Sequence, residues 1–285
     1  MFEHFLITRF NLLQMPNYSD PDQETWIAWT KTRFTIFQNF CLPSVLHQTN
    51  KNFKWLIYFD AATPPEFDEQ IKELKQHDFI EVCYAKGYGN FQLKHIQDIQ
   101  QKISSNTEWI ITSRLDNDDC LHCRAIERIQ KEFIPVDQLM ISLALGYIYN
   151  TQSQKLSQYY YPMSPFINLI EKSDSTLAGI YQKSHTKWNV LQLHIFKELH
   201  NRYFKKKEER KVCFVLDDTL WMQLYHGENV SNGFYKGLPV LRSKNLNDFG
   251  IDRTSQPSRV IDIFKYISYS TWKRCIKAVI VRLLS

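Results

Sequence analysis

Through the first half of the chain, short apolar runs alternate with stretches of helical period. Residues 4–10, 55–60, 79–84 and 109–115 are short apolar runs that read as buried strands. Between them, Trp26, Trp29, Phe34, Phe37, Phe40 and Cys41 recur at helical spacing, and Pro43 breaks or restarts that helix. Thr63, Pro64, Pro65 and Glu66 fit a capping box with prolines in the first turn, opening a helix with Phe67, Ile71 and Leu74 on one face. Leu93, Ile96, Ile99 and Ile103 mark a further helix, and Ile126, Ile129 and Phe133 another. Strand, helix, strand, helix implies an α/β fold: a mostly parallel sheet with helices on both faces. Residues 139–149 read as a core strand, whereas Tyr159–Tyr160–Tyr161–Pro162 and Ser164–Pro165–Phe166 read as loop or edge.

The fourth apolar run ends in Arg114–Leu115–Asp116–Asn117–Asp118–Asp119–Cys120. Three carboxylates in four positions repel one another, so something positive belongs beside them. Ligands of open α/β sheets bind outside the carboxyl ends of strands, and Asp60 and Asp116 stand at such ends. Asp116–Asn117–Asp118 is a DxD, extended by Asp119. Mn²⁺ and Mg²⁺ favour oxygen ligands and would cancel the repulsion. The plainer reading has Asp118 or Asp119 capping a helix that starts near Leu121, which accounts for one acid and not three.

Composition adds an ordered, aromatic-rich core: 285 residues, 44% hydrophobic and 14% aromatic, with only eight Gly. The net charge of +5 is uneven, since seven Lys or Arg and one acid follow from Arg253 onward. A basic end suits an anionic partner, phospholipid or nucleic acid; the lack of interleaved stacking residues disfavours nucleic acid. Over 264–284, Trp272, Ile276, Val279, Ile280 and Leu283 share an arc flanked by Lys273, Arg274 and Lys277. Such a helix can lie in an anionic membrane surface or pack on the domain with its basic face in water. The charge run over 205–211 reads as a solvated helix or loop. Glu3 and His4 interrupt any leader-like apolar run, and the scattered cysteines suit a reducing cytoplasm. Cys120–Leu121–His122–Cys123 is a CxxC without a second pair, read as two thiols near a helix start. The apolar stretch 139–149 is about half of the ~20 residues a membrane span needs.

Cys41–Leu42–Pro43–Ser44–Val45–Leu46–His47–Gln48–Thr49, followed by the strand ending at Asp60, resembles the opening of family-two glycosyltransferases. Arg114–Leu115–Asp116–Asn117–Asp118–Asp119 resembles their L-D-x-D-D, and Trp221 through Val230 resembles the rhamnosyltransferases within the group, with looser matches at Pro165–Phe166–Ile167, Glu171 and His185. The resemblance covers residues 1 to about 240. It implies a GT-A fold, a nucleotide-sugar donor and a divalent ion, Mn²⁺ or Mg²⁺. It implies Asp60 near the donor's base or ribose, Asp116 near ribose or metal, Asp118 on the metal and Asp119 assisting. Two departures stand out: Asp60–Ala61–Ala62–Thr63 replaces the family's Asp-Gly-Ser, and no clear Ala-Arg-Asn segment precedes the fourth strand. Val215 through Trp221 resembles the acidic pair that precedes a helix in inverting members, which makes Asp218 or Asp217 the general base, with helix capping as the competing role. His226 could join the metal or a phosphate, and Arg9 and Arg114 could meet phosphate, with structural roles as the bland alternatives.

The resulting expectation is a GT-A domain over 1–240 and a basic, amphipathic helical tail over 241–285. Its activity is a metal-dependent, inverting transfer of a sugar, rhamnose by resemblance, to a surface glycan or lipid-linked glycan, in the cytoplasm or on the inner face of the membrane. The rivals are another metal-dependent phosphate-ester enzyme, a phosphodiesterase or nucleotidyltransferase, and a non-catalytic membrane binder.

Overall fold

The apolar runs become strands, but they divide between two sheets. The computed structural model describes residues 1–16, 19–162, 164–174, 177–182, 212–216, 218–226, 234–260 and 276. In chain order the strands are β1 (Phe2–Arg9), β2 (Lys54–Asp60), β3 (Ile80–Ala85), β4 (Trp109–Arg114), β5 (Asp119–Leu121), β6 (Leu139–Leu143), β7 (Leu145–Asn150), β8 (Lys155–Tyr160), β9 (Ile167–Lys172), β10 (Val212–Val215), β11 (Trp221–Tyr225) and β12 (Leu238–Pro239). The larger sheet has the order β10-β6-β9-β4-β1-β2-β3 and the smaller β12-β8-β7-β11-β5.

In the larger sheet β1 runs parallel to β2 and β4, β2 to β3 and β10 to β6, while β9 is antiparallel to both neighbours. The mostly parallel sheet expected from the sequence is therefore present. Its inner strands are buried on both faces: Phe5, Leu6 and Ile7, then Leu56, Ile57, Tyr58 and Phe59, expose nothing. That is why they read as unbroken apolar runs. The helices are α1 (Gln23–Ile36), α2 (Leu42–Leu46), α3 (Asp68–Leu74), α4 (Gly87–Lys102) and α5 (Ala125–Lys131). One sheet face carries Phe34, Phe37, Val45, Phe67 and Ile126, and the other carries Phe91, Ile99 and Tyr181.

Several local expectations change. Pro43 does not break the first long helix; a π turn over Phe37–Cys41 leads straight into α2, with Pro43 in its first turn, where a missing N–H costs little. Thr63 makes no cap: its hydroxyl donates to the Asp60 carbonyl at 2.6 Å, and a 3₁₀ turn starts at Pro65. The 139–149 strand is two, β6 and β7, in different sheets with Ala144 between them. The acidic pair at 217–218 is followed by β11, not by a helix, so Asp218 caps none. Trp221 lies over Gly146, where an added Cβ would stand 2.0 Å from the indole.

Residues 241–260 join the smaller sheet's core. Leu246, Phe249 and Ile251 are buried with Tyr149, Met222 and Leu224, and Lys155 bridges to Gln256. The expected tail helix over 264–284, the charge run over 205–211, His185 and Asp217 lie outside the described residues, Ile276 excepted. Among the described residues, no helix is long and apolar enough to cross a membrane.

Candidate active site

Three loops meet at the carboxyl edge of the parallel strands, and Asp60 ties them together. Its carboxylate accepts N–H groups from Leu13 at 3.1 Å, Gly87 at 3.1 Å and Ala62 at 2.9 Å, and Asn11 Oδ1 accepts the Asp60 N–H at 3.0 Å. These donors follow β1, β3 and β2 in turn, so one buried acid fixes the rim. Gly87 sits at φ +71°, with the Gln14 side chain where a Cβ would go, so glycine suits that rim position and any other residue there is strained.

Asp116 follows β4 and faces two arginines. Arg114 reaches its carboxylate through Nη2 at 2.8 Å, and Arg9 through Nη2 at 3.5 Å. Both guanidinium groups lie over the Tyr181 ring, 4.9 Å from it for Arg9 and 5.4 Å for Arg114. Burial disfavours the charge of Arg114, but Asp116 outweighs it and its pKa is raised. Burial pushes the Tyr181 hydroxyl up to about 12 against the pull of the arginines, so the ring stays neutral.

Asp118 pairs with Arg33 of α1 and with His226 Nε2 at 3.3 Å. Burial raises the Asp118 pKa, yet the His226 hydrogen bond and the Arg33 charge more than offset it, and the carboxyl sits below its usual range. Asp119 is the reverse case. Burial, then Asp118 and Asp116, push it well above the carboxylate range. It opens β5 opposite Gln223, and its Oδ1 is buried without a partner among the described residues. Asn117 turns away and donates to the Phe10 carbonyl at 2.7 Å.

The positive charge expected beside the acids is thus supplied first by the chain itself. None of the three acids caps a helix: β5 intervenes and α5 begins only at Ala125. Arg33 is the residue that sequence reading missed. It sits at helical spacing from Trp26 and Thr30, two other buried positions of α1, and a charge on a core-facing stripe was the available signal.

The structure brings Arg9 and Arg114 onto Asp116 and His226 onto Asp118, with the Asp119 N–H donating back to the Asp116 carbonyl at 3.1 Å and Asp60 in the adjoining rim. It does not bring Asp218 there. β5 pairs antiparallel with β11, so Asp119 faces Gln223 while Leu121 faces Trp221. Asp218 comes before Trp221 in the chain and so lies past the Leu121 end of that ladder, the end opposite Asp119. There it meets Arg124 at 3.3 Å in a solvated pair.

A family model described as "Putative rhamnosyl transferase" matches residues 3–235. The chain belongs to that family. Among curated proteins nothing matches it. Solved structures similar to it include S. aureus TarS 1–349, at 10% identity and a TM-score of 0.40, the match covering 78% of this chain and 60% of that one. TarS 1–349 in complex with UDP gives a TM-score of 0.39 at 10% identity, with the same coverages. Mouse xyloside xylosyltransferase 1 gives a TM-score of 0.31 at 10% identity, covering 71% of this chain and 76% of that one.

In this member of the rhamnosyl transferase family, the block around Ser44–Gln48–Thr49 has a mechanical role. Ser44 Oγ accepts the Leu121 N–H at 3.1 Å, Gln48 Nε2 donates to the His122 carbonyl at 2.8 Å, and Thr49 N–H donates to the Cys123 carbonyl at 2.8 Å. Gln48 Oε1 also accepts the first turn of α5 through the Ile126 N–H at 3.1 Å. One short helix and its exit therefore hold β5, the strand that opens at Asp119.

Proposed function

We propose that the chain is a glycosyltransferase that moves a sugar, rhamnose by the family's name, from a nucleotide-diphosphate donor to a glycan acceptor. The observation that carries the reading is the buried acid cluster at the carboxyl edge of the parallel sheet, with cations arranged around it. Open α/β sheets bind their ligands at that edge, and a diphosphate with its counter-ion calls for both acids and cations there. Arg9 and Arg33 each keep a buried Nε–H without an acceptor among the described residues, donors that suit phosphate oxygens.

The residues also fit a hard divalent cation, because Asp119, the residue after Asp118, keeps a buried Oδ1 acceptor without a partner among the described residues. Asp118 and Asp119 would hold Mn²⁺ or Mg²⁺, with Asp116 and His226 at its margin. When bound, such an ion supplies charge stabilisation for a departing diphosphate. The chain's own part is to orient and to exclude water. Arg114 and Arg9 fix Asp116, Arg33 and His226 fix Asp118, and Asp60 holds the rim loops closed around them.

An inverting displacement needs a carboxylate to take the acceptor's proton as its oxygen attacks the anomeric carbon. Asp218 is engaged by Arg124 at the far end of the β5–β11 ladder, which makes Asp217 the first residue to substitute. Nucleotide sugars, rhamnose donors first, would be incubated with Mn²⁺ and with a chelator, using wild type and Asp118→Asn. Metal-dependent release of nucleoside diphosphate by wild type, reduced ~10²-fold or more in the variant, supports the reading. Equal turnover in both proteins refutes the role of Asp118, and turnover of no nucleotide sugar refutes the activity.

A further inference from the structure

We propose a second metal site, for a zinc-class ion, built by His122, Cys123 and Asp248 where β5 ends. One ligand atom from each of the three residues lies within 4.8 Å of the others. Cys123 Sγ is 3.6 Å from His122 Nδ1, and His122 Nε2 is 3.7 Å from Asp248 Oδ2. A single ion takes one nitrogen of the ring. With Nδ1 as the ligand, only the 3.6 Å to Cys123 Sγ is a ligand spacing of the roughly 3.3–3.8 Å that zinc bonds of about 2.0–2.3 Å set. The exposed Asp248 carboxylate, now beside Nε2, swings in to complete the site. Loading costs one local bond, because the Arg124 N–H that Nδ1 now accepts at 3.2 Å is given up.

The surroundings act as a mount. His122 N–H donates to the Leu220 carbonyl at 3.0 Å and Cys123 N–H to the Asp248 carbonyl at 2.6 Å, while Gln48 and Thr49 hold the carbonyls of both ligand residues. The Phe249 ring stands edge-on to the imidazole at 5.5 Å. Ligands carried on fixed backbone lose little freedom on binding a metal. His122 and Asp248 also line a cavity of about 250 Å³, together with Tyr147, Thr219 and Lys244, with room for water or a small ligand beside the site.

The ligand set also decides which ion. A thiolate and an imidazole select zinc, whereas the oxygen-rich acids at 118–119 select Mg²⁺ or Mn²⁺. The second cysteine of the CxxC plays no part. Cys120 is fully buried inside the smaller sheet's core, and both thiols are free. A metal here would staple the turn at 247–249 to the exit of β5, three residues from Asp119. It would therefore steady the strand that presents the candidate active site without taking part in its chemistry.

The test uses the full chain, loaded with an equivalent of Zn²⁺, freed of excess by gel filtration and assayed for metal by mass spectrometry. Wild type and Asp118→Asn are expected to retain about one zinc per chain. Cys123→Ser and Asp248→Asn are expected to bind at least about tenfold more weakly against a chromogenic chelator, with circular dichroism confirming that each variant is folded. Co²⁺ should give a thiolate charge-transfer band in wild type that Cys123→Ser lacks. Failure of wild type to retain zinc, equal retention in Cys123→Ser, or loss of zinc through Asp118→Asn alone would overturn the proposal.

Discussion

The two ends of β5 carry acids under opposite conditions. At the Asp119 end, Asp118 is mostly buried and held by Arg33 and His226, and Asp119 beside it keeps an acceptor unanswered among the described residues. At the Leu121 end, Asp218 and Arg124 meet with about a third and half of their side chains in water. The contrast teaches that a run of aspartates in sequence says little by itself. Burial, not proximity, turns an ion pair into a commitment, since desolvated charges must be matched while solvated ones are screened.

Substitutions at the two ends should therefore differ by severalfold. Arg33→Met leaves Asp118 buried with His226 alone. It should cost up to ~3–5 kcal/mol in urea unfolding without metal, and added Mn²⁺ should restore part of the loss. A variant as stable as wild type would mean that Arg33 and Asp118 do not pair in solution.

The comparison has to be made above the pH at which the shared scaffold loosens. His4, bonded to Ser113 at 2.6 Å, is buried and held neutral, with its pKa depressed to about 3, and burial depresses His95 to about 4. The unfolded chain binds these protons near pH 6.5 and the folded chain does not. Stability is thus full above 6.5 and falls as pH drops below it, by about 1.4 kcal/mol per pH unit for each histidine. A flat stability profile from pH 7 to 5 would contradict the buried, neutral assignment.

The smallest effect belongs to the exposed end. Asp218→Asn should change stability by no more than ~0.5 kcal/mol and leave nucleotide binding intact. A large loss of donor binding would return Asp218 to the site and break the comparison.

The parallel strands β1 to β4 of the larger sheet were legible because they read as short apolar runs, from Phe5 to Ile7 and from Trp55 to Phe59, whereas β9 and β10 of the same sheet were not read as strands. The smaller sheet was not. Trp221, Leu224 and Tyr225 fall at i, i+3 and i+4, a helical spacing, yet they form β11 between β7 and β5. Pairing across chain distance overrode local period. Likewise 139–149 is one apolar run in sequence and two strands in space, because Ala144 passes the chain from one sheet to the other. The acids and His226 could be found by motif. Their partner Arg33 lies 85 residues from Asp118 along the chain, and no spacing rule connects the two. The His122–Asp248 approach was hidden for the same reason, since its halves meet only when 247–249 folds over the end of β5.

The most direct test of the account is calorimetric titration of nucleoside diphosphate with Mn²⁺ into wild type, Asp118→Asn and Asp218→Asn. The account predicts that Asp118→Asn weakens binding at least about tenfold, a cost of ~1.4 kcal/mol, while Asp218→Asn matches wild type. Equal affinity in all three proteins, or loss through Asp218→Asn alone, would contradict it.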